Sequence, residues 1–176
     1  MKFVRVPLEG AFIVELELRK DQRGFFARSF CQKEFAEHGL DPVIAQCNLS
    51  YNANRGTLRG LHYQLPQEEA KLVRCTRGAV WDVIVDIRDD SPTRYEWWAV
   101  ELTDDNHRAL YVPRGFAHGF QTLTDATEVL YHMSEFHHPG SALGIRWDDP
   151  ALMIRWPVSD PILSDRDRAH PLLRIR

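Results

Sequence analysis

The chain has 176 residues, of which 44% are hydrophobic and 27% are charged, the ordinary balance of a globular protein with one sizeable core. The formal net charge of −3 implies no basic face, so we expect no nucleic-acid partner. No apolar stretch approaches the roughly 20 residues of a membrane span. The N-terminus, Met1–Arg5, lacks the apolar region of a signal peptide.

Three cysteines, Cys31, Cys47 and Cys75, are an odd number without the spacing of a disulfide framework. They favour reduced thiols and a cytoplasmic location. No linker, repeat or low-complexity segment interrupts the chain, so residues 1–176 are predicted to form one domain.

The first predicted strand is Ala11–Leu18, where residues alternate with the period of two that is typical of strands. This period places Phe12, Val14, Leu16 and Leu18 on one face. An unpaired strand of this length would be a long exposed edge, which favours pairing with a second subunit in a homodimer.

The same period recurs along the rest of the chain. In Ala79–Ile87 one face would carry Trp81, Val83, Val85 and Ile87 and the other Val80, Asp82, Ile84 and Asp86. Further strands are predicted at Tyr95–Leu102, Ala109–Val112, Gly119–Leu123 and Thr127–Met133. Short strands separated by Gly, Pro, Asn and Asp turns indicate an antiparallel sandwich or barrel, which can hold a small ligand in its mouth.

Helical signals are few. Gln32–His38 could form one short helix closed by Gly39. Ser164 is the predicted N-cap of a second helix that begins at Asp165.

Two histidines stand out as candidates for proton chemistry. His62 lies in Arg59–Gln64 and His118 in Pro113–Phe120, and we predict that both project from strand ends into apolar surroundings. An imidazole in such a pocket can take up or release a proton near neutral pH. The alternative for His62 is a core histidine bonded to a backbone carbonyl. A metal site is the other alternative, but the second position after His62 is Gln64, so the ligand set is incomplete.

Other polar residues receive no role from spacing alone. Asp167 could be a helix-start carboxylate, Tyr131 a sheet residue with its hydroxyl at the barrel rim, and Lys71 a surface lysine.

Taken together, six segments of this chain resemble the dTDP-4-dehydrorhamnose 3,5-epimerases. Their order and spacing agree from about residue 10 to residue 172. The segments are Gly24–Phe26, Arg59–Gln64, Lys71–Arg74, Asp82–Arg88, Pro113–Phe120 and Ile145–Pro150.

The resemblance implies an all-β, cupin-type jelly-roll barrel with a few short helices, no metal and no cofactor. It implies a nucleoside-diphosphate-linked 4-keto-6-deoxyhexose as substrate and epimerisation at C3, C5 or both through an enolate. It also implies a homodimer in which the N-terminal part of one subunit helps to build the site of the other.

Residue by residue, the resemblance implies His62 as the base, Asp167 as its orienting carboxylate and Tyr131 as the acid on the opposite face. Lys71 matches a residue near the C4 oxygen, where a cation stabilises an enolate. The positions expected to bind the substrate are Arg23, Arg28, Gln46, Asn48, Arg59, His118, His137 and Arg166.

The chain departs from the family pattern in three places, the third being a pair of residues. Arg28 and Ala142 stand where the family usually or often carries Glu, in the nucleotide-binding part of the site, which leaves the choice between a dTDP-linked and a CDP-linked sugar open. Phe136 and His137 stand where the family often carries two tyrosines, which leaves open whether C3, C5 or both are inverted. A metal-dependent cupin enzyme and a non-catalytic sugar-binding barrel are the competing classes.

Overall fold

The computed structural model of the protein describes residues 1–173, so residues 174–176 of the predicted domain lie outside the described residues. Within this range the chain forms thirteen strands and two short helices. In chain order they are β1 (Lys2–Arg5), β2 (Phe12–Glu15), β3 (Arg19–Asp21), β4 (Gly24–Phe26), α1 (Gln32–Glu37), β5 (Gln46–Asn52), β6 (Leu58–Gln64), β7 (Lys71–Arg77), β8 (Ala79–Asp86), β9 (Trp97–Thr103), β10 (Ala109–Val112), β11 (Phe116–Thr122), β12 (Thr127–Met133), β13 (Ala142–Gly144) and α2 (Asp165–Arg168).

The strands form two antiparallel sheets and a separate hairpin. The six-stranded sheet has the order β1-β2-β10-β7-β12-β5, and the five-stranded sheet has the order β13-β6-β11-β8-β9. Strands β3 and β4 form the hairpin. The predicted antiparallel sandwich is confirmed, because neighbouring strands in both sheets pair antiparallel.

The main core joins residues of both sheets. Ile84 of β8 and Phe120 of β11 pack in one cluster with Val73 of β7 and Val129 of β12, and none is more than 1% exposed. Burial of each such side chain contributes about 1.5–3 kcal/mol. The opposite face of β8, which includes Val83, is buried in a second cluster. This strand is therefore buried on both faces.

The first predicted strand is corrected in length and in position. β2 ends at Glu15, so Leu16 and Leu18 lie outside it. It pairs with β1 on one side and with β10 on the other, so it is not an edge. The six-stranded sheet instead ends at β1 and β5.

The two predicted helix ends are confirmed. α1 is followed by Gly39, whose φ of +71° is accessible to glycine at little steric cost. Ser164 caps α2, since its side chain accepts a hydrogen bond from the backbone N–H of Asp167. Neither helix within residues 1–173 has the length and apolar content needed to cross a membrane.

Candidate active site

A cavity of about 320 Å³ is lined by strands of both sheets. Its walls come from β5, β7 and β12 on one side and from β6, β11 and β13 on the other. The predicted site residues that line it are Asn48, Arg59, His62, Lys71, His118, Tyr131, His137 and Arg166.

His62 and His118 lie in the middle of β6 and β11, not at strand ends as predicted. They are directly opposite each other across these two paired strands. The backbones of β6 and β11 approach each other closely beside these two histidines. A Cβ on Gly60, which has a φ of +123°, would lie only 2.6 Å from the Cα of Gly119. The register shifts between His118 and Phe120, so a bulge also bends the strands here.

His62 forms a close pair with Asp167, although 105 residues separate them in the sequence. The His62 Nε2 lies 2.6 Å from the Asp167 Oδ1. Asp167 is buried, and Ser164 holds its backbone at the start of α2. Burial alone would raise the pKa of this carboxyl, but the hydrogen bond and positive charge of His62, together with Ser164, lower its pKa overall.

This pairing determines which nitrogen of His62 can act as a base. An ionised carboxylate only accepts hydrogen bonds, so it favours the proton on Nε2. The other nitrogen, Nδ1, has no hydrogen-bond partner among residues 1–173, and His62 lines the cavity with 41% of its side chain exposed. The imidazole therefore borders the cavity with one ring nitrogen bonded to Asp167 and the other free of hydrogen bonds among the described residues.

A second imidazole–carboxylate pair lies deeper in the barrel. The His118 Nε2 is 3.0 and 3.1 Å from the two carboxylate oxygens of Asp82, which is completely buried. The alternating pattern of β8 already placed Asp82 among buried valines and isoleucines, and this was the available sign of its importance. Its partner could not be found from the sequence, because β8 and β11 meet only in the folded chain.

Tyr131 of β12 packs beside this second pair. Its ring centroid is 6.2 Å from that of His118, in an edge-on arrangement. Burial raises the pKa of Tyr131, and the charge of Asp82 raises it further, while Arg59 and Ser50 act in the opposite direction. The hydroxyl therefore stays protonated at neutral pH, and because Tyr131 lines the cavity, it can donate a hydrogen bond to a ligand there.

Lys71 is buried at the cavity wall and is not a surface lysine. Its Nζ lies 3.1 Å from the Glu69 Oε1 and 3.3 Å from the backbone oxygen of His62. An ammonium has three N–H donors, so these contacts leave one for a ligand. Sequence reasoning assigned Glu69 no role beyond a carboxylate near an incomplete set of metal ligands. Its Oε2 is buried and has no hydrogen-bond partner in the described part of the chain.

The remaining predicted residues divide into two groups. Gln46 does not line the cavity, but it bonds to two residues that do: its side chain donates to the Asn48 Oδ1 and accepts from the backbone N–H of His137. Arg23 lies on the exposed β3-β4 hairpin and pairs with Asp21. Arg28 follows this hairpin and pairs with Glu34 of α1. The structure does not bring these two arginines to the cavity of their own chain.

His170, a further imidazole that sequence reasoning missed, lies next to the first pair. Its Nε2 is 3.4 Å from the Asp167 Oδ1, and burial, followed by the charge of His62, lowers its pKa. Together His62, Asp167 and His170 could hold a metal ion, because their ligand atoms lie within 4.8 Å of one another. No ligand spacing in the sequence pointed to this group.

The fold and the site together define a class, the cupin-type jelly-roll proteins with a polar ligand cavity between two antiparallel sheets. Residues 5–174 match the sequence model of the family described as dTDP-4-dehydrorhamnose 3,5-epimerase. The chain is 44% identical to the enzyme of that name from Methanothermobacter thermautotrophicus, over 98% of this chain and 95% of the relative. The chain therefore belongs to the dTDP-4-dehydrorhamnose 3,5-epimerase family.

Solved structures agree with this assignment. A dTDP-4-dehydrorhamnose 3,5-epimerase from Bacillus anthracis with TDP and PPi bound has a TM-score of 0.95 and 45% identity, covering 98% of this chain and 99% of that one. A 3'-monoepimerase from Streptomyces bikiniensis, in complex with dTDP-quinovose, has a TM-score of 0.89 and 35% identity, covering 96% and 86%. The similar structures thus include both a double and a single epimerase.

Proposed function

We propose that this protein epimerises a nucleoside-diphosphate-linked 4-keto-6-deoxyhexose at C3, at C5 or at both, through an enolate and without a cofactor. The observation that carries the proposal is the His62–Asp167 pair, 2.6 Å between nitrogen and oxygen, at a cavity that Tyr131 and Lys71 also line. The ketone at C4 acidifies the hydrogens on C3 and C5. An imidazole supported by a carboxylate is suited to remove such a proton.

Each of the other two groups has a chemical role in this reaction. Removal of the proton leaves negative charge on the C4 oxygen, and the free N–H of the buried Lys71 ammonium can stabilise it. Tyr131, which stays protonated, returns a proton from the opposite face and so inverts the centre. Asp167 acts through His62 by fixing its tautomer.

Arginines and polar side chains of the cavity suit the nucleotide end of the substrate. Arg59 and Arg166 carry positive charge toward a diphosphate. Asn48, His118 and His137 offer hydrogen bonds to the sugar or the base. The TDP bound to the similar Bacillus anthracis structure supports a dTDP-linked sugar, whereas Arg28 and Ala142, which depart from the family pattern, keep a CDP-linked sugar as the alternative.

We further propose a cytoplasmic homodimer in which residues 1–176 form one jelly-roll domain. The β5 edge of the large sheet exposes Leu49 and Tyr51, and the β3-β4 hairpin exposes Phe25 and Phe26, which gives two apolar surfaces for a second copy. Arg23 and Arg28 would then reach the partner's cavity. The exposed thiol of Cys47 suits a reducing compartment. Light scattering should give twice the 20.5 kDa chain mass, and a monomer at working concentration would refute the dimer.

The test of function is NMR detection of deuterium taken up from heavy water by dTDP- and CDP-linked 4-keto-6-deoxyglucose. Uptake identifies the accepted nucleotide and the carbons that exchange. We expect faster exchange at C3 than at C5, because His137 stands where a longer tyrosine often holds the sugar for a second inversion. Equal and rapid uptake at both carbons would indicate an ordinary double epimerase, and no uptake from either sugar would refute the proposed reaction.

A further inference from the structure

The group formed by His62, Asp167 and His170 has the composition of a transition-metal site. Two imidazoles and one carboxylate are ligands that zinc binds in proteins, commonly with the remaining position open to water. The ligand atoms of the three residues lie within 4.8 Å of one another. Asp167 is buried, and His62 is open to the cavity.

His170 supplies a second, independent observation. Its side chain is only 9% exposed, and its Nε2 is a buried polar atom without a hydrogen-bond partner in the described residues. Leaving such an atom unpaired is unfavourable, because it has lost its bonds to water without gaining a partner in the protein. The Nε2 lies 3.4 Å from the Asp167 Oδ1, the same oxygen that contacts His62. This nitrogen therefore lies next to the pair at a distance too long for a strong hydrogen bond to Asp167.

The surrounding fold holds the His170 ring in this place. Gly144 of β13 is directly opposite His62 of β6, and a Cβ on Gly144 would lie 2.4 Å from the His170 ring. The ring occupies the space that the glycine leaves open. It meets the His62 ring edge-on, with 5.5 Å between the centroids.

The spacing approaches that of ligands around one ion, since the ligand atoms of all three residues lie within 4.8 Å of one another. Two ligand atoms at 2.0–2.1 Å from zinc in a tetrahedral arrangement lie about 3.3 Å apart. The Asp167–His170 distance of 3.4 Å already has this value. The His62–Asp167 distance of 2.6 Å would have to lengthen by about 0.7 Å to reach it. His62 can make this movement because nearly half of its side chain is exposed.

We propose that His62, Asp167 and His170 bind a single zinc ion or a similar divalent transition ion, and that the bound ion inactivates the base. An ion on the His62 Nε2 takes the place of the hydrogen bond to Asp167. The neutral ring then carries its one proton on Nδ1, the nitrogen that has to accept a proton from the substrate. Metal binding rests on the geometry alone, whereas the loss of activity rests on the proposed function.

The experiment compares the wild-type chain with His170→Ala and with His170→Gln, which keeps more of the side-chain volume if the alanine variant folds poorly. The matched control is His138→Ala, because the His138 Nε2 also faces a carboxylate, at 3.6 Å from the Glu135 Oε1, without belonging to the group of three. Each protein is stripped with a chelator and dialysed against Zn²⁺, and bound zinc is measured by elemental analysis. Co²⁺ is added separately, because its visible absorption reports the coordination geometry.

In the wild type and in His138→Ala we expect one zinc per chain and a tetrahedral Co²⁺ spectrum, and both should be lost in the two His170 variants. Zinc should slow deuterium uptake by at least about tenfold in the first two proteins, relative to the chelator-treated rate of each, because a metal-bound imidazole cannot accept a proton. No bound zinc in the wild type, or equal binding in the His170 variants, would overturn the site. Stoichiometric binding without inhibition would overturn its effect on the base. If no sugar exchanges even without zinc, the proposed function fails, while the zinc stoichiometry still decides the site.

Discussion

The two imidazole–carboxylate pairs of the barrel use the same chemical groups in different surroundings. In the His62–Asp167 pair the carboxylate is buried, but 41% of the imidazole side chain is exposed at the cavity. In the His118–Asp82 pair the imidazole is 5% exposed and the carboxylate is completely buried. The first pair joins the sheet to α2, whereas the second joins two neighbouring strands of one sheet.

The difference in accessibility fits the proposed roles, a proton carrier in the first pair and a support in the second. A base must leave one nitrogen free for the substrate, and His62 does so because Asp167 engages only the other nitrogen. Asp82 is fixed between strands, and within residues 1–173 its side chain bonds only to His118. We therefore expect changes in the first pair to alter the reaction directly, and changes in the second to alter mainly stability, the position of Tyr131 and the substrate contact proposed for His118.

The largest expected effect is on the base itself. His62→Asn should reduce turnover by at least about 10²-fold, the usual contribution of general base catalysis. The fold should persist, because the half-exposed side chain is not part of the core, and circular dichroism can check this. Deuterium uptake at close to the wild-type rate in this variant would mean that His62 is not the base.

Tyr131 should affect inversion more than proton removal. Tyr131→Phe keeps the ring beside His118 but removes the proton that must arrive from the opposite face. Net epimerisation should fall by about 10²-fold, while some uptake of deuterium at C3 or C5 survives through His62. Comparing product formation with uptake in the same NMR sample measures both. Equal loss of the two rates would place Tyr131 in proton removal instead.

The orienting carboxylate should have a smaller effect than the base. In Asp167→Asn the amide can hold the imidazole in the wrong tautomer, and we expect a loss of about 10-fold to 100-fold in turnover. The loss in the free energy of unfolding should be smaller than the rise in the activation free energy that corresponds to this loss of turnover. Full activity in this variant would separate Asp167 from the base and would remove the distinction between the two pairs.

The sequence predicts some strands of the molecule better than others. The strand period of Ala79–Ile87 and Thr127–Met133 predicted β8 and β12, because alternation is a local property. The extent of β2 was missed, since its end and its two neighbours depend on β1 and β10, which pack against it only in the fold.

The candidate site shows the same contrast between local sequence patterns and contacts that form only in the fold. Segment resemblance pointed to His62, Lys71, Tyr131 and Asp167, which the structure brings to one cavity and its margin. Glu69 and His170 lie in no such segment, and Asp82 lies in one without an assigned role. They are recognisable only through burial and through partners that lie far away in the sequence or across a strand pair.

The second pair provides the contrasting stability test. Asp82→Ala leaves the buried His118 N–H without its acceptor, so we expect the free energy of unfolding to fall by about 1–3 kcal/mol. Asp82→Asn keeps an acceptor oxygen and is the matched control, with a smaller loss. Urea unfolding of both variants measures this. If Asp82→Ala were as stable as the wild type, or less damaging to stability than Asp167→Asn, the proposed division of roles would be wrong.

The smallest expected effect is a pH dependence that belongs to the first pair. The pKa of Asp167 is lowered from its ordinary value of 3.8, with the hydrogen bond from His62 as the largest of the lowering causes. The folded state therefore binds fewer protons than the unfolded state at low pH, so this carboxyl stabilises the fold above pH 3.8. That contribution is lost as the pH falls below 3.8 and through the lowered pKa. Urea unfolding across this range should show a shallower acid loss for Asp167→Asn than for the wild type. Identical slopes would mean that the pair does not contribute to stability and that its close contact serves the reaction alone.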